Sequence, residues 1–257
     1  MLKGMSIICV GFLTDPHIPF HDRKGLAAAM NCLADSRLSA LYLGGDVPDM
    51  YWCHGHGSKH PTPMALSSFA KEKDATSKFL DEIDKTWGPK VPKHWVEGNH
   101  EFRFERWLVD HAPELFGITD MRILFGMNTR PNWHYYDYGP NQLVRIEKTN
   151  LFAKHAPKGS SGNTIMNAAG CNLIFGHIHR IIHERKTTAD KRMIQIATPG
   201  WLGDPRFDKV FGYVPGHHNW QQGFARIWIN TANNNFSIEI VEVKNGRCIA
   251  GGKLYVG

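Results

Sequence analysis

The stretch Val96-Glu97-Gly98-Asn99-His100-Glu101 decides how the rest of the chain is read. An apolar run stops at a glycine and then presents an amide, an imidazole and a carboxylate, groups whose burial is costly unless they bind something. A core strand would continue with Val, Ile or Leu. This one opens into polar chemistry at its carboxyl end. Taken alone, the stretch also reads as a polar turn in which Asn99 supplies the bend.

Working outward, the same construction recurs four times. Met5-Ser6-Ile7-Ile8-Cys9-Val10-Gly11-Phe12-Leu13 is too short for an uncapped helix and reads as a buried strand ending in Asp15 and His17. Ser39-Ala40-Leu41-Tyr42-Leu43 ends in Gly44-Gly45-Asp46-Val47-Pro48-Asp49. The run 150–155 ends in Lys154-His155-Ala156, and Asn172-Leu173-Ile174-Phe175 ends in Gly176-His177-Ile178-His179.

Helical spacing separates these runs. Leu26, Ala29, Met30 and Leu33 predict a helix over 24–36. Leu66, Phe69, Ala70, Phe79, Leu80, Ile83 and Trp87 line one face of a long helix that Gly88-Pro89 stops, and Phe104, Trp107 and Leu108 begin another. A helical patch at 118–125 precedes three successive strands at 132–138, 141–148 and 150–155, with Gly139-Pro140-Asn141 as the turn between the first two. A short helix to about 169 and strand-like runs at 192–198, 223–230, 236–243 and 253–256 complete an α/β pattern. In such a sheet ligands gather at the carboxyl ends of strands, so these distant side chains are expected on one rim.

Composition sets the class. With 257 residues, 42% hydrophobic and 21% charged, the chain fits one domain over 1–257, and no run is long enough to cross a bilayer. Five cysteines, odd in number and never in a Cys-x-x-Cys pair, argue against a disulfide framework or a thiolate zinc site and for a cytoplasmic protein. A net charge of +6 leans mildly toward a polyanionic partner. Fifteen histidines are the larger departure, because imidazole is the commonest metal-binding side chain.

The set Asp15-x-His17, Gly45-Asp46-x-x-Asp49, Gly98-Asn99-His100-Glu101, His155 and Gly176-His177-x-His179 resembles the calcineurin-like metallophosphoesterase superfamily in order and approximate spacing. The segments Asp15-Pro16-His17-Ile18-Pro19-Phe20-His21-Asp22 and Asn219-Trp220-Gln221-Gln222-Gly223-Phe224, with the helix after Glu101, are similar to its small phage and prophage members. The resemblance implies a four-layer α/β/β/α sandwich, two mixed β-sheets flanked by helices, with a two-metal centre between the sheet ends. Carried onto this chain, it makes Asp15, His17, Asp46 and His179 the ligands of one ion. Asp46, Asn99, His155 and His177 then hold the other, with Asp46 bridging. Two divalent ions are implied, Mn first, with Fe, Zn or Ni as alternatives. They would supply a bridging hydroxide for in-line attack on phosphorus.

His100, next to a ligand but not one itself, suits the general acid that protonates the leaving oxygen. The resemblance sets Asp49 against it, fixing its tautomer and raising its pKa; a turn carboxylate is the alternative. Arg103 and Arg180 are candidate phosphate contacts, or solvated charges, with Glu101 or Glu105 as partners for Arg103. His21, His54, His56 and His60, the last three in a 50–63 segment near the site, are loop histidines that either support the ligands or contact substrate, or are simply solvated. Trp201, Trp220 and Phe224 read as core or loop anchors, although an exposed aromatic could stack a base.

The expected substrate is a phosphoester. Asp15-Pro16-His17-Ile18 and Gly45-Asp46-Val47-Pro48-Asp49-Met50 lack the glycine and arginine pattern of protein serine/threonine phosphatases. The basic balance and the phage-type similarity favour a phosphodiesterase or nuclease acting on nucleic acid or nucleotides, in the host cytoplasm if phage-encoded. A phosphomonoesterase is the enzymatic alternative, and a non-catalytic scaffold of the same fold is the other class.

Overall fold

The computed structural model describes residues 6–53, 68–207 and 219–257. Along the chain run β1 (Ile7–Leu13), α1 (Arg23–Asp35), β2 (Ala40–Leu43), α2 (Phe69–Trp87), β3 (Lys93–Val96), α3 (Phe102–His111) and α4 (Met121–Leu124). Then come β4 (Trp133–Tyr136), β5 (Val144–Arg145), β6 (Leu151–Lys154), α5 (Gly162–Ala169), β7 (Asn172–Phe175), β8 (Ile181–Thr187) and β9 (Met193–Pro199). The last four strands are β10 (Gly223–Asn230), β11 (Phe236–Lys244), β12 (Arg247–Ala250) and β13 (Lys253–Val256).

Helix ends follow local chemistry. The Asp22 carboxylate accepts from the Lys24 and Gly25 amides to cap α1, and Ser68 caps α2. Ser161 and Thr164 form a reciprocal capping box on α5, which Gly170 ends in the left-handed conformation.

Two mixed sheets form, one in the order β13-β12-β11-β10-β1-β2-β3-β4, the other β5-β6-β7-β9-β8. β1 to β4 are mutually parallel, as are β6, β7 and β9. Val10, Phe12, Tyr42 and Val96 pack against Ile174 and Ala197 between the sheets. Leu26 and Leu33 of α1, with Leu80 and Ile83 of α2, cover the outer face of the first sheet, and Ile165 and Met166 of α5 cover the second. The result is the four-layer α/β/β/α sandwich that the resemblance implies.

Three expectations change. The runs at 132–138 and 141–148 are not a hairpin: β4 pairs in parallel with β3 in the first sheet, while β5 pairs with β6 in the second. The turn at Gly139-Pro140-Asn141 therefore carries the chain from one sheet to the other. Second, β8 and β12 are strands without a sequence expectation. β8 is an edge strand whose His183, Glu184, Arg185 and Lys186 face solvent, so it lacks an apolar period. Third, the 50–63 segment is not all loop, since Tyr51–Cys53 forms a short 3-10 turn. Leu66, His54, His56 and His60 lie outside the described residues. Among the described residues no helix is long and apolar enough to cross a membrane.

Candidate metal centre

Because β1, β2 and β3 are parallel neighbours, and so are β6 and β7, their carboxyl ends lie on one rim of the sandwich. The segments leaving them are stitched together by backbone bonds. Asp15 N donates to Gly45 O and His17 N to Asp46 O, both at 3.0 Å. Across the gap between sheets, His177 N donates to the Asp15 carboxylate at 3.0 Å.

Among the described residues three groups of donors result: His17, Asp49 and His100 form one, and the other two make up the candidate centre. Asp15, His17 and His179 offer ligand atoms within 4.8 Å of one another, and so do Asp46, His155 and His177. His179 Nε2 lies 3.1 Å from His17 Nε2 and 3.2 Å from Asp15 Oδ1. His155 Nε2 lies 3.1 Å from both Asp46 Oδ2 and Asn99 Oδ1. Asp46 Oδ2 is also 4.0 Å from His17 Nε2, which puts this carboxylate between the sets. Asp15, His17, Asp46 and His155 are buried, whereas His177 is exposed and Asn99 half-buried, so the centre opens on the His177–Asn99 side.

This donor set fits divalent cations. Two imidazole Nε2 atoms 3.1 Å apart beside a carboxylate can share only one proton, whereas a cation satisfies both lone pairs. The other ring nitrogens are arranged for this role: His155 Nδ1 donates to Gly44 O at 2.8 Å and His17 Nδ1 to Asp49 Oδ2 at 2.9 Å, which turns each Nε2 toward the other donors. Among the described residues the buried His179 Nδ1 and Asp49 Oδ1 have no hydrogen-bond partner. Without a cation the charges compensate internally. Burial works to lower the His155 pKa, but the Asp46 and Asp15 charges overcome it and push it up to about 10. Burial likewise opposes ionisation of Asp46, yet His100 and His155 hold its carboxyl well below the usual range.

The backbone is strained at the donors. Asp15, His17, Asp46, His177 and His179 have φ of 51°, 52°, 51°, 77° and 55°, the left-handed region that L side chains avoid. Close approach also dictates glycine: a Cβ on Gly98 would stand 2.2 Å from Asp46 Oδ1, and one on Gly176 2.4 Å from Asp15 Oδ2.

Two residues hold this arrangement, of which sequence reasoning gave Glu101 only a place as a possible partner of Arg103 and Gln142 none. The buried Glu101 carboxylate accepts from the Asp46, Val47 and Gly98 amides and from Trp95 Nε1, at 2.9–3.0 Å, clamping the ends of β2 and β3. Burial and then the Asp46 charge push its carboxyl up to about 7. Gln142 Oε1 accepts from His155 N at 3.1 Å while its Nε2 donates to Glu97 O at 2.9 Å, joining a strand end of each sheet. Glu101 stood in a quoted motif, but nothing in the sequence marks Gln142.

The candidate catalytic pair is brought together, with the Asp49 carboxylate shared between two histidines. The Asp49 carboxylate lies closer to His17 Nδ1, at 2.9 Å, than to His100 Nδ1, at 3.3 Å. His100 Nδ1 instead donates to the Asp49 carbonyl at 2.8 Å. Its pKa is lowered rather than raised, first by burial and then by Arg103, against the Asp46 and Asp49 charges. Arg103 is buried and lays its guanidinium along the His100 ring, Nη1 2.9 Å from Nδ1 and Nη2 2.8 Å from Nε2. It is neither a solvated charge nor paired with Glu101 or Glu105 among the described residues. Arg180 donates to the Ser160 carbonyl, outside both donor sets. His21 is also outside them, its pKa pushed down to about 4 by burial and then Arg23. Trp201 is buried and stacks on His179, ring centroids 5.0 Å apart, with Trp220 edge-on to both, while Phe224 is core.

No family model matches the chain. It is similar to the Gene 54 protein of Mycobacterium phage L5, 24% identical over 271 aligned positions that cover 95% of this chain and 96% of that protein. The Gene 54 protein of Mycobacterium phage D29 is likewise 24% identical, over 265 positions with the same coverage. Among solved structures, Vacuolar Protein Sorting 29 from Cryptosporidium parvum aligns over 98% of this chain and 96% of its own, with 11% identity and a TM-score of 0.48. A phosphatase from Mycoplasma pneumoniae aligns over 93% and 94%, with 11% identity and a TM-score of 0.43.

Proposed function

We propose that the chain is a dinuclear-metal-dependent phosphoesterase that hydrolyses phosphodiesters of nucleic acid or nucleotides. The observation that carries this reading is the delivery of Asp15, His17, Asp46, Asn99, His155, His177 and His179 from five strand ends to one rim, in two sets that Asp46 joins. Asp15, His17, Asp46 and His179 would hold one ion and Asp46, Asn99, His155 and His177 the other. When bound, such ions supply an activated water and neutralise charge on phosphoryl oxygens.

The remaining steps belong to side chains. His100 Nε2, 3.6 Å from Asp46 Oδ2 and 2.8 Å from Arg103 Nη2, would give a proton to the leaving oxygen. In the free protein burial and Arg103 favour neutral imidazole, so the arriving phosphoester's negative charge is what offsets the guanidinium and lets Nε2 hold that proton. Arg103 positions His100. Trp201 fixes the His179 ring from outside. The net charge of +6 supports a polyanionic substrate, and likeness to two mycobacteriophage proteins supports a phage-type enzyme of the host cytoplasm.

The test is hydrolysis by Mn-loaded protein of bis-p-nitrophenyl phosphate beside p-nitrophenyl phosphate, followed by labelled single- and double-stranded DNA. Diester preference with DNA cleavage is the expected result. Monoester preference with inert DNA would replace it with a phosphatase, and hydrolysis of neither, with metal bound, would leave a binding scaffold.

A further inference from the structure

We propose that Phe102, Tyr138 and Arg106 form a nucleotide-binding ledge beside the metal centre, with a base on the aromatic rings and its neighbouring phosphate on the guanidinium. The reaction it serves rests on the phosphodiesterase reading; the ligand it fits rests on geometry of its own.

Both rings are anchored to elements that also carry donors. Phe102 directly follows Glu101 and opens α3, its amide donating to Gly98 O at 3.2 Å. Tyr138 follows β4, and its amide donates to Glu97 Oε2 at 2.6 Å. Gln142 Nε2 donates to Asp137 O at 3.1 Å while its Oε1 holds the His155 amide. Lys154 Nζ adds bonds to Gly139 O and Pro140 O at 3.1 and 2.8 Å. The 137–142 loop is thus fixed to the ends of β3 and β6, which lead into Asn99, on the open side of the centre, and the buried His155.

The rings pair at 5.4 Å between centroids, tilted by 38°, with Arg106 Cζ 5.9 Å from the Phe102 centroid. Both aromatics are only half-buried, in contrast to Trp201, which is buried and stacks on His179. Arg106 is exposed and has no ion-pair partner among the described residues, and the Tyr138 hydroxyl has no hydrogen bond among them. Neighbouring Asp137 is countered by Arg122 Nη1 at 3.5 Å. The phenol lies within electrostatic reach of both centre and cation: burial and then the Asp46 charge push its pKa up, and Arg106 opposes them. A pair of half-buried rings carried by elements of the candidate centre, next to a guanidinium that no carboxylate among the described residues neutralises, matches the alternation of phosphate, base and phosphate in a nucleotide chain. A sugar phosphate without a base would leave the rings unused.

The test holds the chemistry constant and varies the group retained on phosphorus. Mn-loaded protein is assayed on the p-nitrophenyl ester of thymidine 5′-monophosphate and on ethyl p-nitrophenyl phosphate, diesters of equal charge with the same leaving group. The wild type is expected to favour the nucleoside ester by roughly tenfold or more in kcat/KM. Tyr138→Ala and Phe102→Ala should collapse the ratio toward unity, and Tyr138→Phe should retain it, with bound metal unchanged in all three. Exposed Arg106→Ala, which does not threaten the fold, should weaken a trinucleotide and spare the mononucleoside ester. A wild-type ratio near one, or a ratio indifferent to both alanine changes, overturns the ledge and leaves the phosphoesterase intact. If neither ester is cleaved, that reading fails alone, and calorimetric binding of dAMP against 2-deoxyribose 5-phosphate still decides the ledge.

Discussion

His17 Nδ1 lies 2.9 Å from Asp49 Oδ2, both groups fully buried. A carboxylate on this nitrogen fixes the tautomer that turns Nε2 toward Asp15 and His179, and it raises the basicity of the ring. Asp49 is therefore expected to act through the metal. In Asp49→Asn, affinity for the ion held by His17 should fall by about 10–100-fold. Metal titration followed by elemental analysis measures this directly. Wild-type affinity, with activity lost only on poor leaving groups, would instead assign Asp49 to His100.

A second expectation concerns space. Gly98→Ala directs a methyl to 2.2 Å from Asp46 Oδ1 and 2.4 Å from Asp46 N, so the loop after β3 must shift from the loop after β2. Overpacking of this kind costs about 1–3 kcal/mol. Here it also breaks the Glu101 clamp. We expect Gly98→Ala to lose both stability and bound metal, and Gly139→Ala, whose Cβ meets nothing within 4 Å among the described residues, to lose neither. Thermal melts with and without Mn separate the two.

What could be read in advance follows from what each feature depends on. The ends of β1, β2, β3, β6 and β7 were legible because an apolar run and its donors are adjacent in sequence. The left-handed backbone at Asp15, His17, Asp46, His177 and His179 was not, since a non-glycine residue gives no local sign of the strain that its neighbours impose. Arg103 carried a real ambiguity. Whether an arginine one turn along a helix faces water or folds back onto His100 is settled by what packs around it, here the Asp49 carbonyl that accepts from its Nη1 at 3.1 Å. Gln142 works entirely across the gap between sheets, and β8 hid because an edge strand needs no apolar alternation.

His100 gives a prediction that separates chemistry from binding. His100→Ala should cut hydrolysis of dialkyl phosphates by about 10²–10⁴-fold, the usual worth of a general acid. Esters of p-nitrophenol, which leaves without a proton, should suffer far less. Rates on a leaving-group series measure the slope of log k against leaving-group pKa. A slope as shallow in the variant as in the wild type would remove His100 from the acid role.

The His155 proton couples metal, pH and stability. In the metal-free protein Asp46 and Asp15 hold this imidazole protonated up to about pH 10, against an ordinary value of 6.5. The unfolded chain gives up the same proton near its ordinary value, so the folded state binds more protons between these limits and its stability falls as pH rises. Below pH 6.5 this contribution is fully present; at pH 10 it is gone. A bound cation must displace the proton, so its apparent affinity should rise by about tenfold per pH unit for each proton released. EDTA-treated protein is therefore expected to melt at a lower temperature at pH 8 than at pH 6. The stabilisation by a fixed Mn concentration should instead be larger at pH 8, and calorimetry in buffers of different ionisation enthalpy should register proton release. In His155→Ala both the release and the pH dependence of Mn stabilisation should shrink. Proton release equal to that of the wild type would place the displaced proton on another group.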